Sequence, residues 1–242
     1  MNPNPAPIAK PPRSPAFYIA IGCGLMMLLM VLGIAGTCGG CLLLGRSVGK
    51  GFVDDTQKAE NVKKFLGQAP EGYYPVIAVS IPMVMDQAIL IDAPIVPDAG
   101  VPNFTRVFQY WRIIENENSK QMRDYFDGKT ENAEVFPRNM VPVDVKDVIG
   151  KGVVKTGDGA TVKYIASRGH ISADFDRGGN PMRLNTLLDI ECSATDGSVR
   201  VAIWSEKDPH PDKPAEEVDP KGTVLDEAAI TALMAQIKPC TK

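Results

Sequence analysis

Histidine is nearly missing from this chain: His170 and His210 are the only two among 242 residues. A zinc centre needs three or four convergent His, Cys or carboxylate ligands, and no short spacing here supplies them, so neither a metal nor another cofactor is expected. Surplus basic charge is lacking too. The formal net charge is −3, and residues 45–242 hold 24 Lys and Arg against 29 Asp and Glu. A nucleic-acid or other polyphosphate partner calls for a cationic face, so this balance argues against one. No catalytic signature and no internal repeat stands out. What remains, 44% apolar and 23% charged residues, is ordinary globular composition.

The sharpest shortage is local. Residues 1–44 contain two charged side chains, Lys10 and Arg13, and from Ala16 to Leu44 there is no Asp, Glu, Lys, Arg or His for 29 residues. As a helix this stretch would reach about 43 Å against a hydrocarbon core of about 30 Å. Phe17 and Tyr18 mark one edge and Arg46 and Lys50 the other, the pattern of interfacial anchors. The reading is a single transmembrane helix over 16–44, with the lipid bilayer as its first partner. A cleaved signal peptide is the main rival, because Gly33, Ala35, Gly36 and Thr37 form a small-residue cluster. The apolar run continues past that cluster to Leu44, longer than the usual h-region.

Lys10 and Arg13 balance Arg46 and Lys50 closely, so charge alone does not orient the helix. A short basic N-terminal tail ordinarily stays inside and long C-terminal domains translocate regardless of charge, which favours a cytoplasmic N-terminus and an exported domain. Gly36 and Gly40 form a GxxxG match on the helix, a face through which two copies could associate. The plainer reading is the general glycine richness of membrane helices. Before the helix, residues 1–15 contain six prolines and read as a disordered tail.

Beyond the membrane, residues 45–71 read as a helical stalk: Val48, Phe52, Ala59, Val62, Phe65 and Leu66 fall on one stripe, and Gly67 and Pro70 stop it. Residues 72–242 read as a soluble α+β domain. Strands are predicted over Tyr73–Ile81, Val84–Ile91 and Thr105–Ile114, the last alternating Val107, Gln109, Trp111 and Ile113 against Arg106, Phe108, Tyr110 and Arg112. Asn118 or Ser119 is placed to cap a short helix that buries Met122, Tyr125 and Phe126. Two hairpins follow, Val143–Lys155 with Thr161–Ser167 around Gly157-Asp158-Gly159, and Leu184–Ala194 with Val199–Ser205 around Asp196-Gly197. Asp226 and Glu227 open a closing helix with a stripe of Ala229, Ile230, Leu233, Met234 and Ile237, ended by Pro239. Together these elements predict an antiparallel sheet with helices packed on it, a sandwich-like α+β fold. Their order over residues 72–239 is similar to that of the extrinsic sandwich proteins of photosystem II. That resemblance rests on element order and implies the fold, with no functional residue.

Five cysteines divide in two groups. Cys23, Cys38 and Cys41 fall in the membrane segment, where Cys38-Gly-Gly-Cys41 reads as small apolar filler rather than a redox motif. Cys192 and Cys240 are the pair in the soluble part, and an exported domain would bridge them. The most polar stretch, Ser167–Arg183, contains Ser167, His170, Asp174 and Asp176, the residue types of a hydrolase triad, although a solvated hairpin connection explains them as well. Asp208–Asp219 reads as a Pro- and acid-rich surface loop. Tyr73, Tyr74, Phe108, Tyr110 and Trp111 would line a pocket or fill the core, and strand aromatics are ordinarily core. The leading expectation is a non-catalytic domain that binds an envelope protein or a small ligand. A hydrolase built on Ser167, His170 and Asp174 or Asp176 is the alternative, and a structural or assembly subunit the third.

Overall fold

A computed structural model of the protein describes residues 51, 54–82, 84–95, 102–130, 143–171, 181–193 and 197–240. The Pro-rich tail, the expected membrane span 16–44 with Cys23, Cys38 and Cys41, and the Gly36/Gly40 face all lie outside them. Among the described residues no helix is long and apolar enough to cross a membrane. The chain divides into two units, residues 1–46 and 47–242, and the account below concerns the second.

Helix α1 (Asp55–Leu66) starts where the Asp54 carboxylate accepts from the Thr56 and Gln57 amides at 3.0 and 3.1 Å, satisfying donors that a helix start leaves open. It stops at Gly67, which takes φ 77° and returns its N–H to Lys63 O. The expected stalk is part of the domain: Val62, Phe65 and Leu66 are buried in the core. The buried Asn61 Nδ2 donates to Ala78 O at 2.7 Å, which satisfies a carbonyl of the edge strand β1 (Tyr74–Ile81). A free stalk would leave this apolar stripe in water.

Strands β2 (Met85–Ile91) and β3 (Arg106–Ile114) continue an antiparallel meander from β1. Helix α2 (Glu117–Phe126) follows. Its cap is Asn116, not Asn118 or Ser119: Asn116 Oδ1 accepts from the Ser119 amide at 3.0 Å and Ser119 Oγ accepts from the Asn116 amide at 2.8 Å, a reciprocal capping box. Next come β4 (Val143–Lys155), β5 (Thr161–Ile171), β6 (Arg183–Glu191) and β7 (Ser198–Lys207), then α3 (Glu227–Met234), capped by Asp226. All seven strands form one antiparallel sheet in the order β1-β2-β3-β7-β6-β5-β4. The fold is α+β, as the alternation predicted.

Each face of the sheet has its own core, because successive strand residues point to opposite sides. One side buries Phe108, Tyr110, Tyr164, Leu188 and Trp204 under α1 and α3. The other packs Trp111, Ile165, Leu187 and Ile203 against Met122 and Phe126 of α2. The C-terminal segment seals the first side. Lys238 N donates to Leu66 O at 2.7 Å, and Gly157 N lies between Met234 O at 3.1 Å and Ile237 O at 2.8 Å. Glycine is required at 157, since a Cβ there would sit 2.4 Å from Ala235 O.

On the α2 side, Asp189 is buried with no hydrogen bond to either carboxylate oxygen among the described residues, and Arg123 Nε is 4.0 Å away. Burial pushes this carboxyl up from 3.8 to about 6, against the pull of Arg123. The folded state therefore holds the proton more tightly than the unfolded chain. Its contribution is most favourable below about pH 4 and is lost as pH rises through about 6, a change of about 3 kcal/mol. Asp189→Asn is expected to raise unfolding stability by up to about 3 kcal/mol at pH 7.5 and to change it little at pH 4. Denaturant titrations of both proteins at the two pH values check this, and an equal effect at both would rule it out.

Candidate functional site

Four residues in strict register, one per strand, build the floor of a cavity of about 790 Å³. Ser80 pairs with Asp86, Asp86 with Arg112, and Arg112 with Arg200, along β1, β2, β3 and β7. All four lie on the α1/α3 side. Asp86 is 3% exposed; it accepts from Ser80 Oγ, and its Oδ2 is 3.0 Å from Arg112 Nε. The next strand offers a second guanidinium, that of the buried Arg200, directly across from Arg112.

Like charges directly opposite on neighbouring strands repel. Asp86 is the single carboxylate in the cavity lining, while Arg112, Arg200 and Lys64 from the last turn of α1 are all cationic. The cavity, about 790 Å³, is therefore net positive within a protein that is net negative. Its remaining walls are mostly apolar, with Phe65 from α1, Ile81 and Pro82 after β1, Met85 from β2, and Pro239. The disulfide Cys192–Cys240, with Cα atoms 5.5 Å apart, closes one wall and ties the C-terminal segment to the end of β6. A site of this size and composition suits a small molecule that carries negative charge.

Of the residues suggestive of a hydrolase, Ser167 and His170 are not brought together. Ser167–Arg183 is not one loop: β5 runs on through Ile171 and β6 begins at Arg183. Ser167 and His170 are three apart on a regular strand and so point to opposite faces. Ser167 is fully buried with its Oγ donating to Asn185 O at 3.4 Å, whereas His170 Nδ1 lies 3.4 Å from Pro181 O. Asp174 and Asp176 lie outside the described residues. Among the described residues no group of three His, Cys, Asp or Glu side chains is arranged to hold a metal.

Most of the aromatic residues singled out in the sequence fill the core. Phe108, Tyr110 and Trp111 are buried, with Tyr110 also bordering the cavity, while Tyr74 is exposed. Tyr73 accepts a hydrogen bond from Trp204 Nε1 at 2.6 Å, and burial pushes its phenol up to about 12. The Arg112–Arg200 pair is the feature sequence reasoning missed. Its signal was present in each strand alone, as an Arg on the same alternate face as the core residues Phe108 and Tyr110 or Ala202 and Trp204, but the two strands are far apart in the chain. No model of a known protein family matches the chain, and a search of curated proteins finds no match.

Proposed function

We propose that the protein is a membrane-anchored binding module without catalysis of its own, held in the bilayer by residues 16–44, which displays in the cell envelope a domain that captures a small anionic ligand. The observation that carries this reading is Arg200 buried directly beside Arg112 in a cavity whose lining contains one carboxylate. Asp86 balances one of these two like charges, and a bound carboxylate or phosphate would add charge-assisted hydrogen bonds to the pair. The Cys192–Cys240 disulfide supports the exported topology, since such bridges persist in oxidising compartments.

Two measurements test the two halves of the reading. Titration of the full chain in a neutral detergent with inorganic phosphate and with succinate is expected to show saturable, salt-sensitive binding. The double change Arg112→Met and Arg200→Met should weaken it at least about tenfold, the loss expected for a charge-assisted pair. Absence of binding by both anions would refute the ligand reading. In intact spheroplasts, a C-terminal tag should be removed by added protease; a protected tag would reverse the topology.

A further inference from the structure

We infer that the tip of the β1–β2 hairpin docks on the bilayer that anchors the chain, with Pro82, Val84 and Ile114 at the headgroup boundary and Lys63 and Lys64 beside the lipid phosphates. This goes beyond ligand capture and rests on the anchor half of the reading above.

Turns between strands are ordinarily made of Gly, Asn, Asp, Pro and Ser, and the sequences Gly157-Asp158-Gly159 and Asp196-Gly197 follow that rule. The β1–β2 turn departs from it: Ile81-Pro82-Met83-Val84-Met85 contains no polar residue. Val84 N donates to Ile81 O at 3.0 Å and closes the turn, which leaves Pro82 exposed and Val84 55% exposed. Ile114, the last residue of β3, is 50% exposed, and it lines the same cavity as Pro82, Val84 and Lys64. Lys63 and Lys64 are both exposed in the last turn of α1. An apolar run held in water at a turn stabilises nothing within the domain and marks a contact surface. Apolar side chains flanked by lysines suit the bilayer interface, where the first enter the acyl boundary and the second reach the phosphates.

The path of the chain selects lipid as the occupant. Six residues, 45–50, separate the end of the apolar run at Leu44 from Gly51, and even fully extended they reach at most about 25 Å. Gly51 is buried against β1, where a Cβ would lie 2.4 Å from Ala78 O. From Ala78 the strand runs three residues, about 10 Å, to Ile81 at the turn. The tip thus belongs to the strand at which the tether enters the domain. Exposed Val148 and Val153 instead lie on β4, the opposite edge of the seven-stranded sheet and about 29 Å away at about 4.8 Å per strand. The anchor therefore brings a bilayer within reach of the apolar tip, and no second protein is needed to cover it.

The test places the full chain in lipid nanodiscs that contain phosphatidylglycerol, with or without lipids carrying a nitroxide quencher on the upper acyl chain. An environment-sensitive thiol fluorophore is attached at Val84→Cys or Val153→Cys, both exposed positions, after Cys23, Cys38 and Cys41 are changed to Ala. A third sample keeps Cys38 and labels it alone, to report on the anchor. The label at Val84→Cys should lose at least about half of its emission to the quencher, as expected for a group about 5–10 Å into the interface, and the label at Val153→Cys should lose none. Lys63→Glu with Lys64→Glu should reduce the loss at Val84→Cys, and an unchanged loss would overturn the lysine contacts. A quenched Cys38 label together with an unquenched one at Val84→Cys would leave the anchor standing and overturn the docking. Equal quenching at Val84→Cys and Val153→Cys would overturn it as well, since the tip would then be no nearer to lipid than the far edge. Emission at Val84→Cys that shifts to the blue without quenching, and only in discs holding two copies, would give the tip to a second copy instead. A Cys38 label untouched by the quencher would defeat the anchor reading and the inference with it.

Discussion

Replacing Arg168 with Met is expected to lower unfolding stability by about 3–5 kcal/mol, the cost of leaving one partner of a buried ion pair uncompensated. Arg168 Nε lies 2.6 Å from Asp208 Oδ2, with the two side chains 5% and 1% exposed. The same guanidinium donates to three carbonyls of the segment after β7: His210 O at 3.0 Å, Pro211 O at 2.6 Å, and Lys213 O. One side chain on β5 thus holds a proline-rich surface loop that has little apolar surface of its own to bury. Asp208 also accepts from the His210 amide at 2.8 Å, so its carboxylate organises the loop it anchors. Denaturant unfolding should show the loss, and limited proteolysis should cut the variant within residues 208–214 first. Arg168→Met combined with Asp208→Leu removes both charges and should recover most of the lost stability. If the double variant is no more stable than the single one, the buried charge is not the cause.

Removing the disulfide is expected to cost a similar amount. Cys192 and Cys240 are 48 residues apart, and the loop-closure entropy released to the unfolded chain corresponds to about 4 kcal/mol. Cys192→Ser with Cys240→Ser should retain the native fold, because Cys240 N donates to Asp158 Oδ2 at 2.8 Å and the segment before it is held by Gly157 and Leu66. The unfolding midpoint in denaturant should fall in the double variant, and by the same amount when a reductant is added to the wild type. A reductant with no effect on the wild-type midpoint would show that the bridge contributes nothing. The bridge also walls the cavity, so under the proposed function its loss should weaken anion binding as well.

Much of the domain was legible in local periodicity. The stripes Val62, Phe65, Leu66 and Ile230, Leu233, Met234 repeat at helical spacing, and both are buried on one side of the sheet. The alternation within β3 and β7 assigned side chains to the two faces correctly, because each face has an apolar core and a one-residue slip would exchange them. β5 ran on to Ile171, past its expected end at Ser167. Arg168, Gly169 and His170 read as loop, since nothing local shows that Arg168 is paired with an acid forty positions away. The cavity was illegible for the same physical reason. It exists where β3 meets β7, and no pattern within either strand states that Arg112 and Arg200 become neighbours.

The strand order also dictates when the sheet can be completed. β1, β2 and β3 are contiguous, and β4 through β7 form a second meander, and among the described residues the two sets are joined in the sheet by the β3–β7 pairing alone. On a growing chain, β3 is finished at Ile114 while its partner begins at Ser198, so the inner edge of β3 has no mate until residues 115–197 have been made. For that interval the first three strands carry an open, apolar edge, the kind that templates wrong pairing. Synthesis of β7 closes that edge and sets the two arginines side by side in one event. A chain that stops before Ser198 therefore has neither a joined sheet nor the Arg112–Arg200 pairing.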